Sequence, residues 1–233
     1  EEVVVTVQGY IVRCNLPPIT RPDQIPKSPH TAKQSVVITD LGSPEFESSA
    51  RAILQIHTLF GSTLPDDTLV PWKPMKDAEH ICIEFANRYF KSKDDSESPV
   101  IGLASDIDPM GLLVSRCPNG EHTEDNTVLY FERTTDHTTG NNNYTPCKPV
   151  VVRTGQLVEI QASFCVVPIT KGRFIMLSKL RAVCILNTQV QDVNIPMSPT
   201  KKTKRRVGYG QDGVAGTEET RMALKRLRID ETH

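Results

Sequence analysis

The sequence lacks the motifs that identify many enzymes and membrane proteins. Its 233 residues contain no G-x-x-x-x-G-K-[ST], no G-x-S-x-G and no H-E-x-x-H motif, so nothing supports a nucleotide hydrolase, a serine hydrolase of that type or a zinc protease. We therefore predict no catalytic residue and no cofactor. No apolar run approaches the ~20 residues that a membrane-spanning helix needs, and we do not expect an integral membrane protein.

Closely spaced cysteine pairs are also missing. The six cysteines include no C-x-x-C pair, and most lie among apolar residues, as buried reduced thiols do. This favours an intracellular protein over a disulfide-bonded one, although one glycosylation sequon at Asn143 keeps an extracellular alternative open. Two cysteines and two histidines lie at intervals of five, fifteen and ten residues: Cys117, His122, His137 and Cys147. Structural zinc sites use closer pairs, so we predict no metal site.

Carboxylates cluster between residues 106 and 125. Two of them on one strand and turn could bind Mg²⁺ together with phosphate groups, as a nuclease requires. The tetrapeptide Asp106-Ile107-Asp108-Pro109 is, however, typical of a turn, because aspartate side chains accept hydrogen bonds from nearby backbone amides. We favour the turn.

Charge is distributed unevenly along the chain. Residues 1–145 contain 12 Lys and Arg against 21 Asp and Glu, a net charge of -9, whereas residues 146–186 contain six basic residues and one acidic residue, a net charge of +5. Residues 198–233 contain nine basic and five acidic residues. Such asymmetry indicates a partner such as nucleic acid or a nuclear import receptor, since charge distribution governs association rather than fold. The acidic front would be the contact surface for a protein partner.

The apolar periodicity ends near residue 190. We therefore predict a globular body at residues 1–190 and a flexible basic tail at residues 191–233, whose end has the cap and charge pattern of a short helix. The tail carries a dense basic run: Lys201, Lys202, Lys204, Arg205 and Arg206. Such runs are typical of nuclear localisation signals, so we predict a nuclear protein. A merely solvating charge run is the alternative.

The body combines two predicted helices with a series of strands. Ser43, Pro44 and Glu45 have the pattern of a helix start, and the apolar positions extend this helix to residue 60. A second helix, at residues 77–91, is predicted from apolar residues at three- and four-residue steps: Ala78, Ile81, Cys82, Phe85 and Tyr89. The first residues are β-branched and short of helix formers, and the apolar period changes after Pro99. These signals predict strands at 3–7, 10–14, 36–39, 100–104, 112–115, 127–133, 156–167 and 174–186.

The last two strands form a predicted hairpin around a short Gly-containing turn, residues 170–173. Alternate residues of a strand share a face, so residues 174, 176, 178, 180, 182 and 184 are predicted to face the core. The opposite face carries three cations among aliphatic residues, and with a lysine of the turn it could follow a phosphate backbone. The predicted nucleic-acid-binding residues are Lys171, Arg173, Lys179 and Arg181. An ordinary half-exposed strand is the alternative, because this face has no aromatic side chain.

Four segments carry a resemblance to a known family. They are ASDIDPMG at 104–111, DNTVLYFE at 125–132, GQLVEIQ at 155–161 and RRVGY at 205–209. Together they resemble a family of uncharacterised proteins predicted in mushroom-forming fungi. The resemblance implies a fungal intracellular setting, and it brings no activity and no functional residue.

These patterns predict an α+β body in which two helices pack on a mainly antiparallel, strongly curved sheet or on a small barrel of the oligonucleotide-binding kind. The helix usual between the third and fourth strands of such a barrel is not predicted, since residues 134–153 are polar and rich in Gly, Asn and Pro. The leading functional interpretation is a nuclear nucleic-acid-associated or chromatin-associated module that uses the basic hairpin and tail. A protein-interaction module without nucleic acid is the first alternative, and an enzyme of unrecognised type is the second.

Overall fold

The computed structural model describes residues 2–39, 44–77, 80–91, 99–135, 138 and 140–187. The chain divides into two compact units, Glu1–Ser198 and Pro199–His233, and every described residue belongs to the first. The predicted tail, its short helix and the basic run at residues 201–206 lie outside the described residues, so they stay predictions.

The described residues form ten β-strands and two α-helices. The strands are β1 (Val5–Asn15), β2 (Lys33–Thr39), β3 (Met75–Asp77), β4 (His80–Arg88), β5 (Val100–Ile101), β6 (His122–Thr123), β7 (Leu129–Thr135), β8 (Asn142–Pro146), β9 (Leu157–Ile169) and β10 (Arg173–Asn187). The helices are α1 (Pro44–Gly61) and α2 (Leu112–Arg116). The first predicted helix and the terminal hairpin are thus confirmed.

Five of the strands close into a barrel. Around the barrel, β1 pairs with β2, β2 with β4, β4 with β10, β10 with β9, and β9 with β1. All of these pairings are antiparallel except β4–β10, which is parallel and joins Ala86 to Lys179. A closed, five-stranded, mainly antiparallel barrel is the architecture of the oligonucleotide-binding (OB) fold. The predicted α+β class with a small barrel is confirmed.

The other strands extend the barrel. β3 pairs with the first half of β4 and forms one edge of the sheet. β7 lies parallel to β10 beyond the end of β4, and β8 pairs with β7 to form the opposite edge. β5 and β6 make a separate two-stranded sheet.

The barrel interior and one side of α1 share the main hydrophobic core. Its fully buried side chains include Ile11, Ile38, Ile53, Phe85, Ile160 and Leu180. Helix α1 approaches β1 closely at Gly9, where an added Cβ would lie 2.9 Å from the Thr39 carbonyl oxygen and 3.0 Å from the Phe46 ring. Glycine permits this approach, and β1 continues through it without the predicted interruption.

The second predicted helix, at residues 77–91, is wrong, because this segment contains strand β4. Phe85 points into the barrel, whereas Cys82 belongs to a small buried cluster on the outer side of the strand. Both sides of β4 are buried there, so apolar residues do not simply alternate, and their spacing imitates a helical stripe. Tyr89 follows the strand and belongs to a second core.

The strand predicted at residues 112–115 is also wrong, because this segment is helix α2. The Asp108 carboxylate accepts hydrogen bonds from the amides of Leu112 and Leu113 at 2.8 Å and of Val114 at 3.0 Å. Amides of the first helical turn have no partner within the helix, so Asp108 stabilises a helix where the apolar run alone is ambiguous. Asp108 therefore has the turn-stabilising role that the sequence predicts.

The connection between β1 and β2, residues 16–32, is fixed by the second core. This core contains Ile19, Ile25, Ala32, Tyr89, Phe90, Leu113 and Cys117. The Ile19 amide also donates to the Ile107 carbonyl at 2.8 Å, and the Tyr89 amide to the Ala32 carbonyl at 3.0 Å. The loop after the first barrel strand is consequently held against α2 and the end of β4.

Candidate nucleic-acid interface

The turn between β9 and β10 presents two of the predicted binding residues to solvent. Within the turn Thr170–Gly172, Lys171 (φ 66°) and Gly172 (φ 67°) have left-handed backbone conformations, which reverse the chain sharply. Lys171 and Arg173 are exposed. Neither has an ion-pair partner among the residues that the structure describes.

The other two predicted residues lie in an ion-pair cluster, the Asp125 network. Lys179 Nζ lies 2.8 Å from Asp125 Oδ2, and Arg181 Nη2 lies 2.6 Å from Asp125 Oδ1. The Arg181 guanidinium also donates to the Asp125 carbonyl oxygen at 2.6 Å and to Ser163 Oγ at 3.0 Å, and it pairs with Glu2. The two cations are balanced by two carboxylates. A phosphate would have to displace a carboxylate to bind either cation directly.

The Asp125 network lies where β10 changes its neighbour. Lys179 is level with Ala86 of β4, whereas β10 from Ala182 onward lies beside β7. Arg181 is the extra residue of a bulge in the β9–β10 pairing between Leu180 and Ala182. Asp125 precedes β7 and binds both Lys179, which lies before the bulge, and the bulged Arg181, so the network holds this junction of the barrel together.

The bulge at Arg181 corrects the predicted alternation of β10. Met176 and Leu180 face the core as predicted, but Val183 and Ile185 face it beyond the bulge. Ala182 and Cys184, which the alternation predicts to face the core, are buried as well, but they lie outside the main core cluster. One extra residue in a strand exchanges its two faces, and alternation in the sequence does not reveal where that residue lies.

Burial and ion pairing oppose each other within the Asp125 network. Desolvation raises the pKa of the Asp125 carboxyl group, but interactions with Lys179 and Arg181 outweigh it, so this pKa lies below its ordinary value. Desolvation lowers the pKa of Arg181, and interactions with Glu2 and Asp125 outweigh it, so this pKa is raised. Asp125 and Arg181 are therefore both charged at neutral pH.

A second group of cations lies on the outward side of β1, β2 and β4. This surface, the β1–β2–β4 face, is defined by Arg13, Lys33, Glu84, Ala86 and Arg88. Lys33 and Arg88 are exposed and directly opposite each other in the β2–β4 register. Lys33 Nζ also lies 2.8 Å from Glu84 Oε1. With Arg13 exposed on β1, the face carries three cations and one carboxylate.

Small side chains form the floor of the β1–β2–β4 face. Ser35 is opposite Ala86, and Ala86 is level with Lys179, so the face continues around the barrel to β10. Tyr10 is the aromatic residue on the outward side of these three strands, and it is half-buried. The floor can admit a polynucleotide backbone, with limited aromatic surface for bases.

The sequence pattern does not predict the β1–β2–β4 face. Lys33 and Arg88 meet only through the β2–β4 register, and the helix expected at residues 77–91 places Arg88 in the wrong element. A correct strand prediction for residues 80–88 would have placed Arg88 at the end of a strand. To predict that Lys33 lies opposite it, the order of the strands in the barrel must also be known.

Two side chains that could take part in catalysis or metal binding, His122 and Cys117, are in hydrogen-bond contact with other residues of the fold. His122 Nδ1 lies 2.6 Å from the Tyr89 carbonyl oxygen, and Cys117 Sγ lies 3.1 Å from His30 Nδ1. Burial raises the pKa of the Cys117 thiol, which disfavours the nucleophilic thiolate. All six cysteines are free thiols. His137 lies outside the described residues.

The described part of the chain contains neither a metal-binding cluster nor a membrane-spanning helix. No three His, Cys, Asp or Glu side chains there are arranged to hold a metal ion. No described helix is long and apolar enough to cross a membrane.

Comparison with known proteins adds one structural likeness. No protein-family model and no curated protein matches the sequence. The chain is similar to the solved structure of gp2.5, a single-stranded DNA-binding protein encoded by bacteriophage T7, with 12% sequence identity and a TM-score of 0.40. The match covers 82% of this chain and 96% of the phage chain. A likeness at that level assigns neither a family nor a ligand to this chain.

Proposed function

We propose that the protein is a nuclear module that binds single-stranded nucleic acid across the β1–β2–β4 face. OB-type barrels bind oligonucleotides on the surface of their second and third strands and at the loops after the first and fourth strands. Here those strands are β2 and β4, and those loops are residues 16–32 and Thr170–Gly172. The direct opposition of the exposed Lys33 and Arg88 carries the proposal. Like charges opposite each other destabilise a sheet, and Glu84, which pairs with Lys33, is one carboxylate against the three cations of this face.

The exposed cations at the β9–β10 turn, Lys171 and Arg173, extend the proposed binding path along β10. Ala86 is level with Lys179 in the parallel register, so Arg88 is level with Arg181, eight residues along β10 from Arg173. At ~3.3 Å per residue, the two ends of the path are about 26 Å apart. The turn and the β1–β2–β4 face would therefore contact separate phosphates of one strand. The predicted binding role of Lys179 and Arg181 additionally requires a phosphate to replace Asp125.

The nuclear setting is supported by the basic run at residues 201–206. Such a run is recognised by import receptors when it is extended, which makes an import receptor the proposed second partner. Association with chromatin is part of the same proposal. The fungal setting is supported by the sequence resemblance alone.

The proposal is tested by the salt dependence of binding to a labelled oligodeoxythymidylate. Each phosphate contact on a single strand contributes ~0.7 to the slope of log affinity against log salt concentration. Replacing Arg13, Lys33 and Arg88 together with glutamine should therefore weaken binding at low salt and reduce the slope by about 2. The full chain is used, so the tail contributes equally to wild type and variant.

The matched control replaces Arg51, Lys73 and Lys76, which are exposed on α1, in the following loop and on β3. It removes the same charge from elsewhere on the body and should leave a steeper slope than the face variant does. Equal slopes for the two variants would refute binding at the β1–β2–β4 face.

A protein-interaction module is the second candidate function. It is favoured by apolar side chains that remain exposed within the acidic first 145 residues, such as Val100, Met110 and Val114 at 58%, 67% and 47%. Failure of the full chain to bind any oligonucleotide at low salt would make this candidate the first choice.

A further inference from the structure

We propose that the outward side of β7 and β8 is a second part of the binding site, on which nucleobases stack. This inference rests on the proposed function. The surface, the β7–β8 face, is defined by Leu129, Phe131, Arg133 and Tyr144. Tyr130 belongs to the main core, so its neighbours Leu129 and Phe131, and then Arg133, lie on the outward side. Tyr144 is directly opposite Arg133 and shares that side.

The rings and aliphatic groups of this face are open to a ligand. Tyr144 and Leu129 are 56% and 54% exposed, and all of β8 is exposed. Phe131 is half-buried and lies diagonally across from Tyr144, since it is opposite Pro146. Diagonal neighbours on paired strands are about 7–8 Å apart. Two aromatic rings therefore lie close together on one sheet surface.

The charge around the β7–β8 face favours an anionic ligand. Residues 129–158, which include both strands of this face, contain three cations, Arg133, Lys148 and Arg153, against two carboxylates, Glu132 and Asp136. On β7 itself, Glu132 points to the opposite side from the β7–β8 face. On the outward side of β9, Glu159 accepts a hydrogen bond from Gln8 Nε2 at 2.9 Å. The planar guanidinium of Arg133 adds a cationic surface on which a base can stack.

Nucleobases suit this face better than an added peptide strand does. An exposed edge such as β8 can recruit another strand through its backbone groups. β8 is short, polar and ends at Pro146, which has no amide to donate. Sheet surfaces that present aromatic side chains bind single-stranded bases in RNA-binding domains. The face, rather than the edge, is therefore the recognition element.

The β7–β8 face continues the β1–β2–β4 face along β10. Ala86 is level with Lys179, and Leu129 is level with Ala182. β4 therefore ends and β7 begins beside consecutive parts of one strand. A single strand whose phosphates contact the first face reaches the aromatic rings of the second.

The test measures binding of the labelled oligodeoxythymidylate to the full chain and to Tyr144→Ala and Tyr144→Phe. Loss of one stacked ring should weaken binding about 5- to 150-fold, while the salt slope stays unchanged because no phosphate contact is lost. Tyr144→Phe keeps the ring and should bind like wild type. Leu59→Ala, at a 66% exposed position on α1, is the matched control and should have no effect.

A fluorescence measurement locates the contact. A base stacked on Tyr144→Trp should quench the new tryptophan, beyond any change that the native Trp72 shows in the wild-type chain. If wild type binds while Tyr144→Ala binds equally well and Tyr144→Trp shows no added quenching, the stacking site is refuted and the β1–β2–β4 proposal stands. If wild type binds no oligonucleotide at low salt, both proposals fail. Self-association that Tyr144→Ala abolishes, with oligonucleotide binding unchanged, would assign the face to a protein contact instead.

Discussion

Removal of the Asp125 side chain should weaken the barrel at the place where β10 changes neighbour. Asp125→Ala removes the carboxylate that binds Lys179 Nζ at 2.8 Å and Arg181 Nη2 at 2.6 Å. The backbone carbonyl of residue 125, Ser163 and Glu2 would still contact Arg181. The variant therefore tests the two side-chain ion pairs rather than the whole network.

The expected magnitude follows from the partial exposure of the pair. A hydrogen bond to a charged group contributes about 1.5–3 kcal/mol, but the Asp125 side chain is 37% exposed, so solvent screening lowers each contribution to about 1 kcal/mol. Two such bonds give an expected decrease of about 2 kcal/mol in the free energy of unfolding.

The pH dependence gives a second check. Because the pKa of Asp125 is lowered in the folded protein, its contribution is complete above the unfolded-state value of about 3.9. It is lost as the pH falls through the lower folded-state pKa. The difference between wild type and Asp125→Ala should therefore be constant from about pH 5 to 8 and shrink below about pH 4.

Urea denaturation at several pH values measures both effects. Asp23→Ala is the control, because its ion pair with Arg21 spans 3.6 Å between side chains that are 71% and 70% exposed, and it should change stability very little. An Asp125→Ala effect no larger than that of Asp23→Ala would refute the junction role. Tighter oligonucleotide binding by Asp125→Ala would support the predicted binding role of Lys179 and Arg181, because the variant removes the carboxylate that pairs with both, although Arg181 keeps its pair with Glu2.

Two further predictions concern the core and the tail. Phe85→Ala should lower the free energy of unfolding by about 3–5 kcal/mol, because Phe85 is fully buried in the barrel; a loss below ~1 kcal/mol in urea denaturation would contradict this placement. Alanine replacement of the basic run should move a fluorescent fusion from the nucleus to the cytoplasm without changing its melting temperature, and unaltered nuclear accumulation would contradict the predicted signal. The replaced residues are Lys201, Lys202, Lys204, Arg205 and Arg206.

The terminal hairpin could be predicted because its signal is local. Two long, largely apolar segments, residues 157–167 and 174–186, flank a short turn that contains Gly172. Helix α1 could be predicted in the same way, because Ser43, Pro44 and Glu45 have the pattern of a helix start and Gly61 is typical of a helix end. In β4 the local signal predicts the wrong element. Phe85 is buried on one side of the strand and Cys82 on the other, so the buried residues are spaced as in a helix.

The candidate site depends on contacts that are distant in sequence. Lys171 and Arg173 are exposed as expected because they lie at a turn, whereas the environment of Lys179 and Arg181 is set by Asp125 from another element. The opposition of Lys33 and Arg88 likewise follows from the strand order of the barrel. Composition and periodicity contain no information about such pairs.

The pairing of β1 with β9 determines when the barrel can form during synthesis. Val7 is in register with Ile160, so the first strand leaves the ribosome about 150 residues before its partner, or roughly 8–30 s at ~5–20 residues per second. During that interval β1 and β2 expose apolar side chains that belong inside the barrel. A nascent chain stalled before β9 would therefore depend on a chaperone, whereas one released after β10 can bury the same surface by itself.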